Sequence, residues 1–400
     1  MTYADLDYDL TEEQRATRDM VRQFGSEVVR PGGIELDHMG DPQEVIDEGS
    51  LLWDLIRQYR ELGLHKTGIA KAFGGTAEDM DAMTNFLISE ELGYADAGFA
   101  ISMGAGGMFY SMCQASKVPD LQQLALEYAE DPSSRLISCW GIIEPDHGTD
   151  WMLAGDNPKI TPNVQAELKG DHYIINGQKA AWVSNGSIAT HCVLHAGVDN
   201  SRGMAGQSVF LVPLDLPGVS RGKPLNKMGQ RALNQGEIFF EDVEIPRDYR
   251  FEPAGGTARG RQPPMAGMAV LFAGLARAAL DEAVAYARQR EQVGKPIIQH
   301  QNVSLKLFEM FMQVEAARSF ARRMYMYNAE SDDGSYLHSI AGKWLSTETA
   351  FKVASTAIQI FGGNGLSKEY VIEKIFRDAR TAMIEDGVNE SLALGVVNAI

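Results

Sequence analysis

The hydrophobic period of the chain changes twice, and this limits the folds open to it. Up to about residue 135 apolar residues recur at helical spacing, as in "LLWDLIRQYRELG" and "MDAMTNFLISEELGYADAGFAISMGA". The segments "HYIINGQKAAWVSNG", "THCVLHAGV", "SVFLVPL" and "GEIFFEDVEIP" are instead short, β-branched or aromatic-rich runs broken by Asn-Gly, Gly and Pro. From Met265 onward long apolar-periodic stretches return, among them "AVLFAGLARAALDEAVAYARQR" and "SIAGKWLSTETAFKVASTAIQIFGG". Segregated α, β and α segments predict an α+β chain of three parts: a helical domain over 1–135, a β-domain over 136–252 and a helical domain over 253–400.

Local signals punctuate this plan. Thr11 and Gln14 have the spacing of a capping box, Glu12 and Glu13 favour a first helical turn, and Pro31-Gly32-Gly33 is expected to stop the helix. The Pro/Gly-rich segment 252–264 reads as a linker or mobile loop. Its Arg259 and Arg261 read as solvated charges, with contact to an anion as the alternative.

The 36 Lys and Arg against 54 Asp and Glu give a formal charge of −18, which argues against a general nucleic-acid or anionic-membrane surface. The acidic opening "MTYADLDYDLTEEQ" lacks the features of a signal or transit peptide, and no stretch approaches the roughly 20 apolar residues of a membrane span. Cys113, Cys139 and Cys192 are too few and too scattered for a disulfide framework, so a reducing cytoplasm is the expected location. In "HCVLH", His191 and His195 share one face of a strand and Cys192 points away, so no metal site is expected. No Walker loop, GxSxG elbow or strand-borne GxGxxG is present. The Met-containing stretch after Met310 reads as bundle core and subunit packing.

Near the C-terminus two adjacent acids, Glu385 and Asp386, stand directly before Gly387. They are either a catalytic base and its neighbour or the polar edge of a turn. The stretches "GIIEPDHGTD" (141–150), "INGQKAAWVSNG" (175–186), "NKMGQRALNQGEIFFEDVEIP" (226–246), "RQREQVGKPIIQHQ" (288–301) and "QIFGGNGLSKEYVIEKIFRDAR" (359–380), with the opening helix, carry further information in their order. From about Leu10 to the C-terminus the chain resembles the acyl-CoA dehydrogenase family of flavoproteins. The resemblance implies a helical N-terminal domain, a central β-barrel-like domain and a C-terminal four-helix bundle, assembled as a homotetramer around FAD. It also implies an acyl-CoA substrate and an electron-transferring flavoprotein as electron acceptor.

Residue by residue, the resemblance places Ile142 and Ile143 in the first flavin segment, with Ile143 where the family has threonine. Gly148 and Thr149 then border flavin and CoA. Alternation in "AWVSN" is expected to put Trp182 and Ser184 on one strand face, with Val183 opposite. In the family the matching tryptophan covers the flavin and the hydroxyl lies near N5, although one residue is inserted before Trp182 here. A pyrophosphate needs cationic forks and close backbone amides. Arg290, Gln301, Gln359, Gly362, Gly363 and Gly365 suit that need, and the resemblance assigns them to the pyrophosphate and adenosine half of FAD, partly across a subunit interface. Val293 replaces the usual phenylalanine there.

The family's catalytic glutamate falls on Asp386, and Glu385 takes the place of a tyrosine. Aspartate shortens the arm by one methylene, roughly 1.5 Å, where reacting atoms must approach to about 3 Å. With the small Ala382 this points to a bulky or cyclic acyl group, as in cyclohexane- or cyclohexene-carboxyl-CoA. No acid stands at Pro264-Met265, the family's second base position. Asp96 is a third candidate for the base, with a helix-end acid as its other reading. Two further readings keep the fold: a flavin oxidase or monooxygenase acting on a small non-CoA substrate, and a non-enzymatic flavin-binding scaffold.

Overall fold

Helix α1 (Glu12–Phe24) opens on the expected capping box, with Gln14 N donating to Thr11 Oγ1 at 3.1 Å and Thr11 N to Gln14 Oε1 at 3.0 Å. The computed structural model describes residue 6 and residues 9–252, 262–331 and 333–400; Arg259 and Arg261 lie outside them. Pro31-Gly32-Gly33 does not end the helical run. A π-turn over Gly25–Val29 carries the chain into α2 (Arg30–His38), with Pro31 in the first turn of α2. The glycines serve close packing instead: a Cβ at Gly33 would stand 2.1 Å from Asp96 Oδ2.

The N-terminal helices continue with α3 (Pro42–Ile46), α4 (Leu51–Glu61), α5 (Ala82–Ala95), α6 (Ala97–Cys113) and α7 (Pro119–Glu130). Asp96 breaks the chain between α5 and α6 and caps α6, accepting from Phe99 N at 2.8 Å.

The middle of the chain forms β1 (Ser138–Gly141), β2 (Gln165–Lys169), β3 (His172–Lys179), β4 (His191–Gly197), β5 (Gln207–Pro213), β6 (Val219–Arg221), β7 (Ile238–Pro246) and β8 (Arg250–Glu252), with a short α8 (Asp150–Leu153). The strand order is β6-β7-β3-β2-β4-β5-β8, with β1 parallel to β4. The barrel-like expectation is corrected here, because among the described residues the sheet is open and its end strands β6 and β8 do not pair. β4 pairs with β1 over His191–Leu194 and meets β2 only at Gly197, so the sheet forks where a barrel would wrap. Asn176-Gly177 also fails to break its strand. β3 runs through it on a bulge, and the Asn176 side chain bridges to Asp242 by bonds of 3.0 and 2.8 Å.

Four helices form the C-terminal bundle: α9 (Gln262–Gln289), α10 (Gln301–Glu330), α11 (Tyr336–Phe361) and α12 (Val371–Ala382), followed by α13 (Asn389–Val396). α9 begins inside the segment expected to be a linker. The hairpin of β9 (Glu291–Gln292) and β10 (Lys295–Pro296) turns on Val293 and Gly294, both at positive φ, and Val293 is 91% exposed.

One apolar core joins Val21, Leu52 and Leu92 of the first helices to Phe272, Leu280, Val314 and Val353 of the bundle, while Ile175, Phe210 and Val243 belong to the sheet's own core. A buried ion cluster pins the two helical layers together. Arg277 reaches Glu91 at 2.8 Å and Glu90 at 3.2 Å, Arg22 reaches Glu91 at 2.8 Å, and Arg318 also binds Glu90. Burial alone would push the Glu90 carboxyl up, but Arg277 and Arg318 outweigh it and hold the group at about 2. Among the described residues no helix is long and apolar enough to cross a membrane.

Candidate active site

The acid pair lies on the turn between α12 and α13. Asp386 has φ +53° and Gly387 φ +109°, which reverses the chain just after α12 ends. Lys343, fully buried on α11, holds this turn, donating to the Gly387 carbonyl at 2.6 Å and to Asn389 Oδ1 at 3.0 Å. Both acids are half-buried. Desolvation raises the Asp386 carboxyl above its ordinary value, against the opposing charge of Lys343. Glu385 is pushed to about 7 by burial and by Asp386, with Lys227, Gln230 and Lys343 opposing. One Glu385 oxygen, Oε1, is buried without a hydrogen-bond partner among the described residues.

The loop 226–235 crosses from the sheet to this turn. Gln230 donates from Nε2 to Glu385 Oε2 at 2.9 Å. Lys227 donates to Gln235 Oε1 at 2.8 Å, and Gln235 Nε2 donates to the Trp182 carbonyl at 3.1 Å. Ser184 and Gln235 also form a β-bridge. A path of hydrogen-bonded and facing charged groups therefore runs from the Trp182 segment to the acids.

Trp182 and Ser184 are not on a strand, which corrects the alternation expected for them. β3 ends at Lys179, whose buried ammonium donates to the Ile142 carbonyl and to Glu144 Oε1, both at 2.9 Å, and the chain then turns at Ala181–Trp182. Val183 is buried, whereas the Trp182 indole is 56% exposed and Ser184 half-buried. Ile143 meets the same turn, its carbonyl accepting from Ala180 N at 2.9 Å. Gly148 and Thr149 lie just before α8, and α8 packs on the acid turn: a Cβ at Gly387 would stand 3.0 Å from Met152 Sδ.

Asp96 has both oxygens engaged. Besides the α6 cap it receives Lys374 Nζ at 2.6 Å, and Lys374 also reaches Asp378 at 2.6 Å. No hydrogen bond joins Asp96 to either acid among the described residues; it connects to Glu385 only through Lys374, Asp378 and Gln230.

A second group gathers where α9 and α11 end. Tyr286 stacks on Phe361 with ring centroids 4.0 Å apart and accepts from Asn364 Nδ2 at 3.0 Å, bringing the Gly362–Leu366 turn beside the last turn of α9 and Arg290. Arg290, Gln301 and Gln359 are exposed. A Cβ at Gly362 or Gly363 would meet no atom of the described residues within 4 Å, which leaves this backbone open to a ligand. Gly365 is buried, and a Cβ there would stand 2.8 Å from the Ile358 carbonyl, so it serves packing. His191 and His195 have protein partners, Tyr110 at 3.0 Å and Trp140 at 3.1 Å.

Sequence reasoning missed Lys343, Lys227, Gln230 and Asp378. Lys343 left a readable sign: it falls on the same helical stripe as the buried Ile340, Thr347 and Ala350, where a lysine needs acceptors. Asp378 stands four residues after Lys374 on α12, a helical pair spacing, whereas Gln230 and Lys227 carry no such sign because the acids they face are distant in sequence.

Helical layers thus flank an open sheet, and a crossing loop ties the acid turn to the tryptophan segment. Family models described as the N-terminal, middle and C-terminal domains of acyl-CoA dehydrogenase match residues 11–116, 139–243 and 265–400. The chain belongs to the acyl-CoA dehydrogenase family and is an oxidoreductase of that class. It is 32% identical to cyclohex-1-ene-1-carbonyl-CoA dehydrogenase of Geobacter metallireducens, covering 95% of this chain and 96% of the relative. A protein of the same description from Syntrophus aciditrophicus is 31% identical, over 96% of this chain and 88% of the relative. The structure of butyryl-CoA dehydrogenase from Megasphaera elsdenii superposes with a TM-score of 0.85 at 28% identity, covering 98% of this chain and 99% of that one.

Proposed function

We propose that this protein is an FAD-dependent dehydrogenase that desaturates a bulky or cyclic acyl-CoA thioester, with Asp386 as the base that takes the α-proton. The observation carrying this reading is the connection of the acid turn to the Trp182 segment through Gln230, Lys227 and Gln235. The chain suits FAD in two places: an exposed indole at Trp182 offers a wall to a flat ring, and the open backbone at Gly362 and Gly363 beside Arg290 suits a pyrophosphate. Gln301 and Gln359 belong with that second place. FAD, when bound, supplies the acceptor for the β-hydride.

Asp386 works from a partly desolvated position, where a raised pKa brings the carboxylate nearer the acidity of the proton it removes. Its left-handed backbone leaves its N–H as the proposed donor to the thioester carbonyl. The shorter aspartate arm and the buried Ala382 favour a cyclic acyl group, in keeping with the two relatives described as cyclohex-1-ene-1-carbonyl-CoA dehydrogenases. Glu385 is the runner-up for the base. The two carboxylate partners of Lys374 make Asp96 a structural acid in this reading. We further propose a homotetramer in the cytoplasm that passes its electrons to an electron-transferring flavoprotein.

Anaerobic titration with cyclohexanecarboxyl-CoA, cyclohexenecarboxyl-CoA and linear acyl-CoAs, following loss of the oxidised flavin band, tests the proposal. Bleaching by a cyclic thioester is expected, and Asp386→Asn should retain FAD but lose that bleaching. Full bleaching in Asp386→Asn would remove Asp386 from its role. Bleaching by linear chains alone would sink the cyclic assignment, and turnover of a non-CoA substrate with oxygen would favour the oxidase reading.

A further inference from the structure

Gln230 is 1% exposed, carries a side chain in left-handed backbone at φ +52°, and contacts both α12 and the acid turn that follows it. Its backbone N–H donates to Asp378 Oδ1, and its side-chain amide donates to Glu385 Oε2 at 2.9 Å and, more weakly, to the Asp378 carbonyl at 3.4 Å. Asp378 is itself held by Lys374, which Asp96 grips from the junction of α5 and α6. The loop around Gln230 has no slack. A Cβ at Gly98 would meet the Gln230 carbonyl carbon at 3.0 Å, and one at Gly229 would meet the Arg377 carbonyl carbon at 2.7 Å. Three separate parts of the chain thus fix one amide against one carboxylate.

We infer that Gln230 is a positioning residue for the acid pair: it holds Glu385 through Oε2, while Oε1 is buried with no hydrogen-bond donor among the described residues, so this amide is what orients the carboxylate beside Asp386. This inference deepens the proposed dehydrogenase reading and rests on it for the kinetic part of its test, whereas the Gln230–Glu385 contact stands without it. A buried carboxylate at Glu385 needs a donor, and Gln230 supplies it. The charged groups facing Glu385 are Asp386 on its own turn, Lys227 from the crossing loop and Lys343 from α11. Lys227 in turn faces Asp378, Arg231 and Asp96, and Lys343 faces Asp386 and Glu390.

An amide N–H donated to a carboxylate favours its ionised form, so losing Gln230 makes Glu385 harder to ionise. Gln230→Asn is the test variant. Asparagine tolerates left-handed backbone and keeps the N–H given to Asp378, but its arm is one methylene too short to hold Glu385. The holoenzyme is made as wild type, Gln230→Asn, Glu385→Gln and the double variant. Urea midpoints across pH and the pH profiles of kcat and KM are measured for each.

Gln230→Asn should move the Glu385-dependent step in stability upward by about one pH unit, a tenfold change in proton affinity. The same shift should appear in kcat more than in KM, and it should vanish in the Glu385→Gln background. A loss of stability equal at every pH, or a shift that persists without Glu385, would overturn the inference. The stability arm needs no substrate. Failure of the dehydrogenase reading, seen as no bleaching of the wild-type flavin by any thioester, is therefore distinguishable from failure of the positioning role.

Discussion

The ammonium of Lys343 lies 2.6 Å from the carbonyl of Gly387, so a buried charge on α11 fixes the turn that carries Asp386. Lys343→Met should cost on the order of 3 kcal/mol, since it strands the Gly387 carbonyl and Asn389 without their donor. Because Lys343 opposes the upward push on Asp386, its loss should also move half-maximal flavin reduction to higher pH. An unchanged pH profile in a folded variant would show that Lys343 is structural only.

Glu385 gives a stability signature. Its folded value of about 7 lies above the ordinary 4.5, so between those values the folded protein keeps a proton that the unfolded chain has released. Stability attributable to this group is therefore full below the lower value and declines as pH rises towards the upper one. Glu385→Gln should flatten that decline, read as urea midpoints at about pH 5 and about pH 7.5. Parallel curves for variant and wild type would refute the shift.

Asp96 offers a contrast between structure and chemistry. Asp96→Asn keeps a side chain able to cap α6 but removes a charge facing Lys374, and the expected loss is about 3 kcal/mol. Thermal unfolding should register this, while flavin reduction by thioester in the folded fraction should persist. A stable variant with no flavin reduction would return Asp96 to the list of bases.

Trp182 behaves in the opposite way. Its carbonyl, not its half-exposed indole, is tied to Gln235. Trp182→Ala should therefore change stability of the apoprotein by no more than about 0.5 kcal/mol, yet lower the FAD retained on purification. Equal FAD content in both proteins would take Trp182 out of the cofactor site.

The proposed assembly has its own test. Leu305, Phe308 and Met312 stand one helical turn apart on α10 and are each roughly half or more exposed, at 65%, 59% and 49%. Such a stripe is costly to leave in water. Introducing Leu305→Glu with Phe308→Glu should reduce the particle mass by light scattering; a mass equal to that of the wild type would place the subunit interface elsewhere.

The sequence by itself determined the α, β, α order, the capping box at Thr11 and Gln14, the family, and the place of the acid pair before Gly387, because each rests on local periodicity or on short motifs. Tertiary structure decided the rest. Pro31-Gly32-Gly33 reads as a stop but continues a helix, since a π-turn absorbs the proline and Asp96 occupies the space beside Gly33. Asn176-Gly177 reads as a break but is a bulge, because Asp242 on the neighbouring strand satisfies Asn176. Cys139 and Cys192, scattered along the chain, face each other as buried free thiols across β1 and β4. The ionisation of Glu385 depends on Lys227, Gln230 and Lys343 and that of Asp386 on Lys343, groups that lie 42 to 158 positions away in the chain. Desolvation and Coulomb interactions act through space, so no local pattern of residues could have announced them.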